Sequence, residues 1–293
     1  MQTRPFISFR EFDEGGAFRP IPEVVPASAL DRAGRIVLLI HGFNNNAHQA
    51  DEAYSNFFAA QSRLGYRGQA SLVEIYWPGD TSITGYHRSI PRAKTTAERL
   101  ASLLRRAASR RRRLTIDVVA HSMGCRLTLE LIKILQKQDR HIKIGQLVFM
   151  AAAVPVRQLE KTPLRSSFER AGARALSLFS PIDEALGIAF RLGQQIADSC
   201  GIDDSGTPPL ALGASEWRAT PPCRQLQQRE AVNALHGDYW PGHRGTVATH
   251  INRHLGLGGT ARIPDVRIPR QRFVLARSLV GGALRKIRER FVG

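Results

Sequence analysis

The sequence has no long apolar run, little cysteine and few acidic residues. It contains no run of about 18 or more apolar residues, which excludes a bilayer-spanning helix. The opening stretch, MQTRPFISFREFDEGG, has no apolar core of the length a secretory signal needs, so a cytoplasmic location is expected. Cysteine is scarce. Cys125, Cys200 and Cys223 match no zinc spacing, and an odd number makes a poor disulfide framework. Free thiols are the expectation, with a Cys200–Cys223 pair as the alternative. Internal repeats are absent, as are an aromatic-rich strand motif, a zinc finger and a helix-turn-helix signature, so no specific nucleic-acid contact is expected. Acidic residues are few, 25 against 42 Lys and Arg, which leaves a net charge of +17. The excess clusters at Arg105, Arg106 and Arg110 to Arg113, and again in the tail from Arg267 to Arg290. Such clusters attract anionic lipid, polyanions or acidic partners without specificity. Their ordinary fate is a solvated face.

What is present is an alternation of strand and helix signals through the middle of the chain, which predicts a mostly parallel sheet covered by helices on both faces. The 293 residues suffice for one large α/β domain or two small ones. Arg35 to Ile40 (RIVLLI) reads as a strand buried on both faces. A helix is expected over 48–63, a strand over Ser71 to Trp77, and an amphipathic helix over 91–109. Leu114 to Ala120 (LTIDVVA) reads as a strand, Cys125 to Gln136 as a helix apolar almost all round, and Gln146 to Ala152 and Ala175 to Phe179 as further strands. Residues 201–223 are rich in Gly, Pro, Ser and Thr. Residues 243–255 look helical. The organisation expected is an N-terminal arm or flanking strands over 1–29, a catalytic domain over 30–256 with a lid near 201–230, and a basic amphipathic tail over 257–293. That tail either makes weak contact with an anionic membrane or polyanion, or packs its apolar stripe on the body or a second subunit. The oligomeric state is not readable.

The most informative segment is IDVVAHSMGCRL. A buried strand ends at Ala120 and a buried helix starts near Met123, so only a tight turn joins them. Such a turn strains its middle residue, Ser122, and pushes that side chain out above the sheet edge. Ala120 and Gly124 are small, as close approach of the backbones requires. The Ser122 hydroxyl then stands at a helix N-terminus, where free N–H groups favour developing negative charge. The competing reading is a Ser that only caps the helix.

Ala120-His121-Ser122-Met123-Gly124 resembles the nucleophile elbow of the α/β-hydrolase superfamily, G-x-S-x-G, with Ala in place of the first Gly. The likeness is to a lipase- and esterase-like branch and covers roughly residues 30–256. Ile40-His41-Gly42-Phe43-Asn44 is similar to the family's upstream strand end, which implies an oxyanion hole made by the Phe43 and Met123 backbone N–H groups. The family's chain order is Ser, then Asp or Glu, then His. That order implies Asp183, in the loop after ALSLF, as the acid; its alternative is a helix N-cap, and Asp203 and Asp204 are reserves. It leaves His236, His243, His250 and His254 for the base, and His236, in a Gly-containing loop before aromatic residues, is chosen ahead of His243. His250 and His254 share a helix face, but no carboxylate completes a metal site.

The activity implied is that of a serine esterase acting on a small-molecule acyl substrate through a Ser122–His236–Asp183 catalytic triad, with no cofactor and no metal. Alternatives are acyl transfer or thioester or amide cleavage by the same residues, a hydrolase fold that only binds, and a protein that binds anionic surfaces through its charge.

Overall fold

The computed structural model describes residues 4–11, 17–30, 34–68, 70–79, 85–110, 113–136, 141–160, 163–206, 209–214, 225–231, 234–240 and 245–258. Among them eight strands form one sheet: β1 (Phe6–Arg10), β2 (Phe18–Val25), β3 (Arg35–Ile40), β4 (Ser71–Tyr76), β5 (Leu114–His121), β6 (Ile142–Met150), β7 (Arg174–Phe179) and β8 (Leu226–Glu230). Their order is β2-β1-β4-β3-β5-β6-β7-β8, and every neighbouring pair is parallel except β1 with β2.

The helices are α1 (Ala47–Arg63), α2 (Tyr86–Ser109), α3 (Met123–Leu135), α4 (Arg157–Glu160), α5 (Pro163–Ala171), α6 (Phe190–Ser199) and α7 (Gly245–Leu255), with a single π-helical turn at Ala185–Ala189 ahead of α6. α1 packs with α7, and α2 packs with α3 and α6, so that helices cover both faces of the sheet. None of the described helices is long and apolar enough to cross a membrane.

The central strands are apolar because both of their faces are covered: Ile36 to Ile40 and Val118 to Ala120 are buried throughout. β8, LQQRE, carries no such signal and is not among the strands expected from the sequence. It is an edge strand with a half-exposed face, so it can be polar and still pair with β7 from Ala175–Leu226 to Phe179–Glu230. The lid expected near 201–230 thus has a strand of the sheet, β8, in its last five residues, while residues 215–224 of it lie outside the described residues. The other edge, β2, has Pro20 and Pro22, residues that withhold a ladder donor. α2 starts at Tyr86, five residues before the expected start, and holds Pro91 inside it. His243 and the tail beyond Gly258 lie outside the described residues.

The chain runs from β3 to β4 on one side, then returns to place β5 on the other side of β3. Loops leaving β3 and β5 thus diverge at their C-terminal ends and open a crevice, which is where parallel sheets of this kind place their ligand sites.

Candidate functional site

The register of β3 and β5 builds the site before any side chain is considered. Ile40 pairs with Ala120. Continuing both strands sets Gly42 beside Ser122, and a Cβ on Gly42 would indeed lie 2.9 Å from the Ser122 Cβ. One step further, a Cβ on Gly124 would lie 2.5 Å from the His41 carbonyl oxygen and 2.8 Å from that of Ile40. The small residue after Ser122 is thus required by the neighbouring strand β3, rather than by β5 as a reading of the local turn suggests. Gly124→Ala is expected to push α3 off β3 and to cost about 1–3 kcal/mol; a denaturant midpoint equal to wild type would contradict this.

Ser122 has φ 52° and ψ −122°, a strained backbone for a residue with a Cβ. Its neighbours hold it there. The Ser122 N–H donates to the Met150 carbonyl at 2.9 Å, and the Ser122 carbonyl accepts from Cys125 at 3.1 Å and Ala153 at 3.2 Å. The side chain makes no capping bond to α3. Instead Ser122 Oγ lies 3.0 Å from His236 Nε2.

The other ring nitrogen, His236 Nδ1, lies 2.9 Å and 3.0 Å from the two oxygens of Asp183. A carboxylate can only accept, so in the neutral imidazole the proton sits on Nδ1 and Nε2 offers its lone pair to the Ser122 hydroxyl. Asp183 leaves the end of β7 through a turn in which its N–H donates to the Ser180 carbonyl at 3.2 Å. Its side chain is 1% exposed. Oδ1 also accepts the Leu186 N–H at 3.3 Å, so the capping contact weighed against the acid role is present alongside the His236 bond. His236 follows β8 in a turn closed by Leu235 and Asp238, whose main-chain and side-chain bonds measure 2.9 Å and 3.0 Å.

The two reserve carboxylates are elsewhere. Asp203 is paired with Arg126 of α3 at 2.8 Å and accepts from Gln158 and Gln194, each at 2.7 Å. Asp204 pairs with Arg157 on the surface. The Arg126–Asp203 pair is buried and ties the loop after α6 to the helix behind Ser122. Asp203→Ala removes the closer of two carboxylates from the buried guanidinium, leaving only Glu130 Oε1 at 3.4 Å, and is expected to cost about 1–3 kcal/mol. Unchanged thermal unfolding would contradict that. His254 Nε2 contacts the Arg174 carbonyl at 3.3 Å, and no group of residues fit to hold a metal ion occurs among the described residues.

Two further histidines, which belong to the turn after β3 and to the elbow and so are not candidates for the base, shape the site. His41 Nδ1 donates to the Gly42 carbonyl at 2.8 Å, and its Nε2 accepts the Trp77 N–H at 3.2 Å. The ring stacks on Trp77 at 5.6 Å. Because a peptide is planar and trans, fixing the Gly42 carbonyl also aims the Phe43 N–H to the opposite side. No described residue accepts from the Phe43 or Met123 N–H. His121 Nε2 reaches the His236 carbonyl at 2.7 Å.

Burial, foremost, pushes both the His41 and the His121 imidazole down to about 3. A folded pKa below the unfolded value means that each contributes stability fully present above about pH 6.5. That stability is lost as the pH falls toward 3. The ring resonances of His41 and His121 are therefore expected to stay fixed from pH 8 to 5 in a nuclear magnetic resonance titration. Movement of either would contradict the assignment.

Comparison with known proteins finds the same class. The model of a family described as alpha/beta hydrolase of unknown function (DUF900) matches residues 25–241. Among solved structures, a predicted CIB-like hydrolase from Thermoplasma acidophilum is 14% identical, with 80% of this chain and 90% of that one covered and a TM-score of 0.43. RedJ thioesterase from the prodiginine biosynthetic pathway in Streptomyces coelicolor is 15% identical, with 81% and 91% covered and a TM-score of 0.40. A lipase-esterase related protein from Clostridium acetobutylicum is 9% identical, with 76% and 96% covered and a TM-score of 0.39. No curated protein matches the chain in sequence.

Proposed function

We propose that this chain, which belongs to the alpha/beta hydrolase family of unknown function DUF900, is a serine hydrolase that cleaves carboxylic esters through an acyl-enzyme. The observation that carries the reading is the continuous hydrogen-bonded series Ser122 Oγ, His236 and Asp183, with separations of 3.0 Å and 2.9 Å. A serine hydroxyl is a weak nucleophile until a base takes its proton, and His236 Nε2 stands ready with its lone pair turned to Oγ.

In the reaction, Ser122 Oγ attacks the acyl carbonyl carbon as its proton passes to His236 Nε2. Asp183 steadies the imidazolium through Nδ1–H. The carbonyl oxygen becomes an oxyanion facing the Phe43 and Met123 N–H groups, whose stabilisation is worth roughly 3–4 kcal/mol per donor. Collapse expels the alcohol, which takes the proton from His236, and leaves the acyl group on Ser122. Water then attacks with His236 again as base, and the acid and free Ser122 are released.

A panel of p-nitrophenyl esters of graded acyl length tests this. The expected result is burst or steady release of nitrophenol with a preference for one range of chain length. Thioester and amide analogues of the preferred acyl group separate ester cleavage from its alternatives. Absence of turnover on every member by folded protein would favour a fold that only binds.

A further inference from the structure

We propose that His121 is a positioning residue: its Nε2–H, bonded to the main-chain carbonyl of His236 at 2.7 Å, ties the base to the turn that carries the nucleophile. The inference rests on the hydrolase reading for its consequence, but the contact itself does not.

The chemistry of the pair decides the tautomer. A carbonyl oxygen only accepts, so Nε2 must hold the proton. The ring is neutral, because His121 is 4% exposed and burial opposes a charge there. Nδ1 is then bare, and it makes no hydrogen bond. It faces Gly42 so closely that a Cβ at that position would lie 2.8 Å from it. On its other side the His121 ring meets the His236 ring, with centroids 4.9 Å apart, and beyond it Tyr239 at 6.0 Å. His121 is thus wedged between the turn that presents the Phe43 N–H and the loop that presents the imidazole.

That placement matters because of where His236 sits. Its loop joins an edge strand to α7, and its neighbour Leu235 is 47% exposed. The turn is closed by its own Leu235–Asp238 bonds and anchored by buried Tyr239 and Trp240, but neither joins the His236 backbone directly to the turn that carries Ser122, which leaves it some freedom to shift. The His121 bond spans 115 positions of the chain and removes that freedom. With the backbone pinned, only two side-chain torsions remain to set the distance from Nε2 to Oγ. An ordinary packing role for a buried ring would need the shape of His121 but not its proton, and this difference is testable.

His121→Phe keeps the ring and removes the donor; His121→Gln restores an N–H near the position of Nε2. With the best p-nitrophenyl ester as substrate, His121→Phe is expected to lower kcat roughly 10- to 100-fold while leaving KM near the wild-type value, and His121→Gln is expected to recover most of the loss. Wild-type kcat in the Phe variant, or a Gln variant no better than Phe, would overturn the proposal.

A second measurement needs no variant. In folded wild-type protein at pH 7, the ring nitrogen shifts of His121 should report a proton on Nε2 and none on Nδ1. The opposite tautomer cannot donate to the His236 carbonyl and would also overturn it. If wild-type protein turns over no ester, the hydrolase reading fails, and the tautomer alone decides whether the contact is real.

Discussion

Ser122→Ala is expected to lower kcat for ester cleavage by about ten-thousand- to a million-fold, the loss seen when the nucleophile of a cooperating set is removed. The residue that remains after truncation still has a strained backbone, so the turn itself should persist. Its main-chain bonds to Met150, Cys125 and Ala153 do not involve the hydroxyl. Thermal unfolding should therefore move little, and the kinetic and stability effects separate cleanly. Ser122→Gly sharpens the contrast. Glycine accepts φ 52° without a Cβ penalty, so that variant should be inactive yet more stable by about 1 kcal/mol. An alanine variant that retains a tenth of wild-type turnover would mean that another group attacks the substrate.

Asp183→Asn should lower kcat by about ten-thousand-fold with the fold intact. The reason is the tautomer. Carboxylate oxygens on Nδ1 hold the proton there and leave Nε2 free to accept from Ser122. An amide can turn its NH2 toward Nδ1 instead, which places the imidazole proton on Nε2, facing the hydroxyl it should deprotonate. The amide oxygen can still accept from Leu186 N–H, as Oδ1 does at 3.3 Å, so the start of the following helix keeps its cap. Asp183→Ala loses both contacts and should be less stable than the Asn variant. The comparison separates the two roles of this side chain. Steady-state kinetics on the preferred ester checks the first, and denaturant unfolding the second. A loss of less than tenfold in the Asn variant would remove Asp183 from the mechanism.

The legible parts of this chain are those whose signal is local. RIVLLI, LTIDVVA and ALSLF announce central strands because burial on both faces leaves no room for polar residues. The sharp bend at Ser122 is legible because a buried strand and a buried helix with almost nothing between them permit little else. Features set by distant partners leave no such trace. β8 pairs only through its backbone on one side, so LQQRE need not look like a strand. Gly124 is small because of the His41 carbonyl, more than 80 residues earlier in the chain. Nothing local marks Arg126 as the partner of Asp203, a reserve for the acid, until the fold closes one over the other. His121 bonds to a main-chain oxygen, and a carbonyl has no residue type for a sequence reading to find. For Asp183 the sequence allows both capping and contact with an imidazole, and its two oxygens and their several lone pairs serve both.

The most direct test of the account is covalent capture. Full-length protein treated with a fluorophosphonate should gain the mass of one adduct, mapped by peptide sequencing to Ser122 and absent from Ser122→Ala. Folded protein that takes up no label, or takes it up at any other residue, would contradict the central claim that Ser122 is a nucleophile activated by His236.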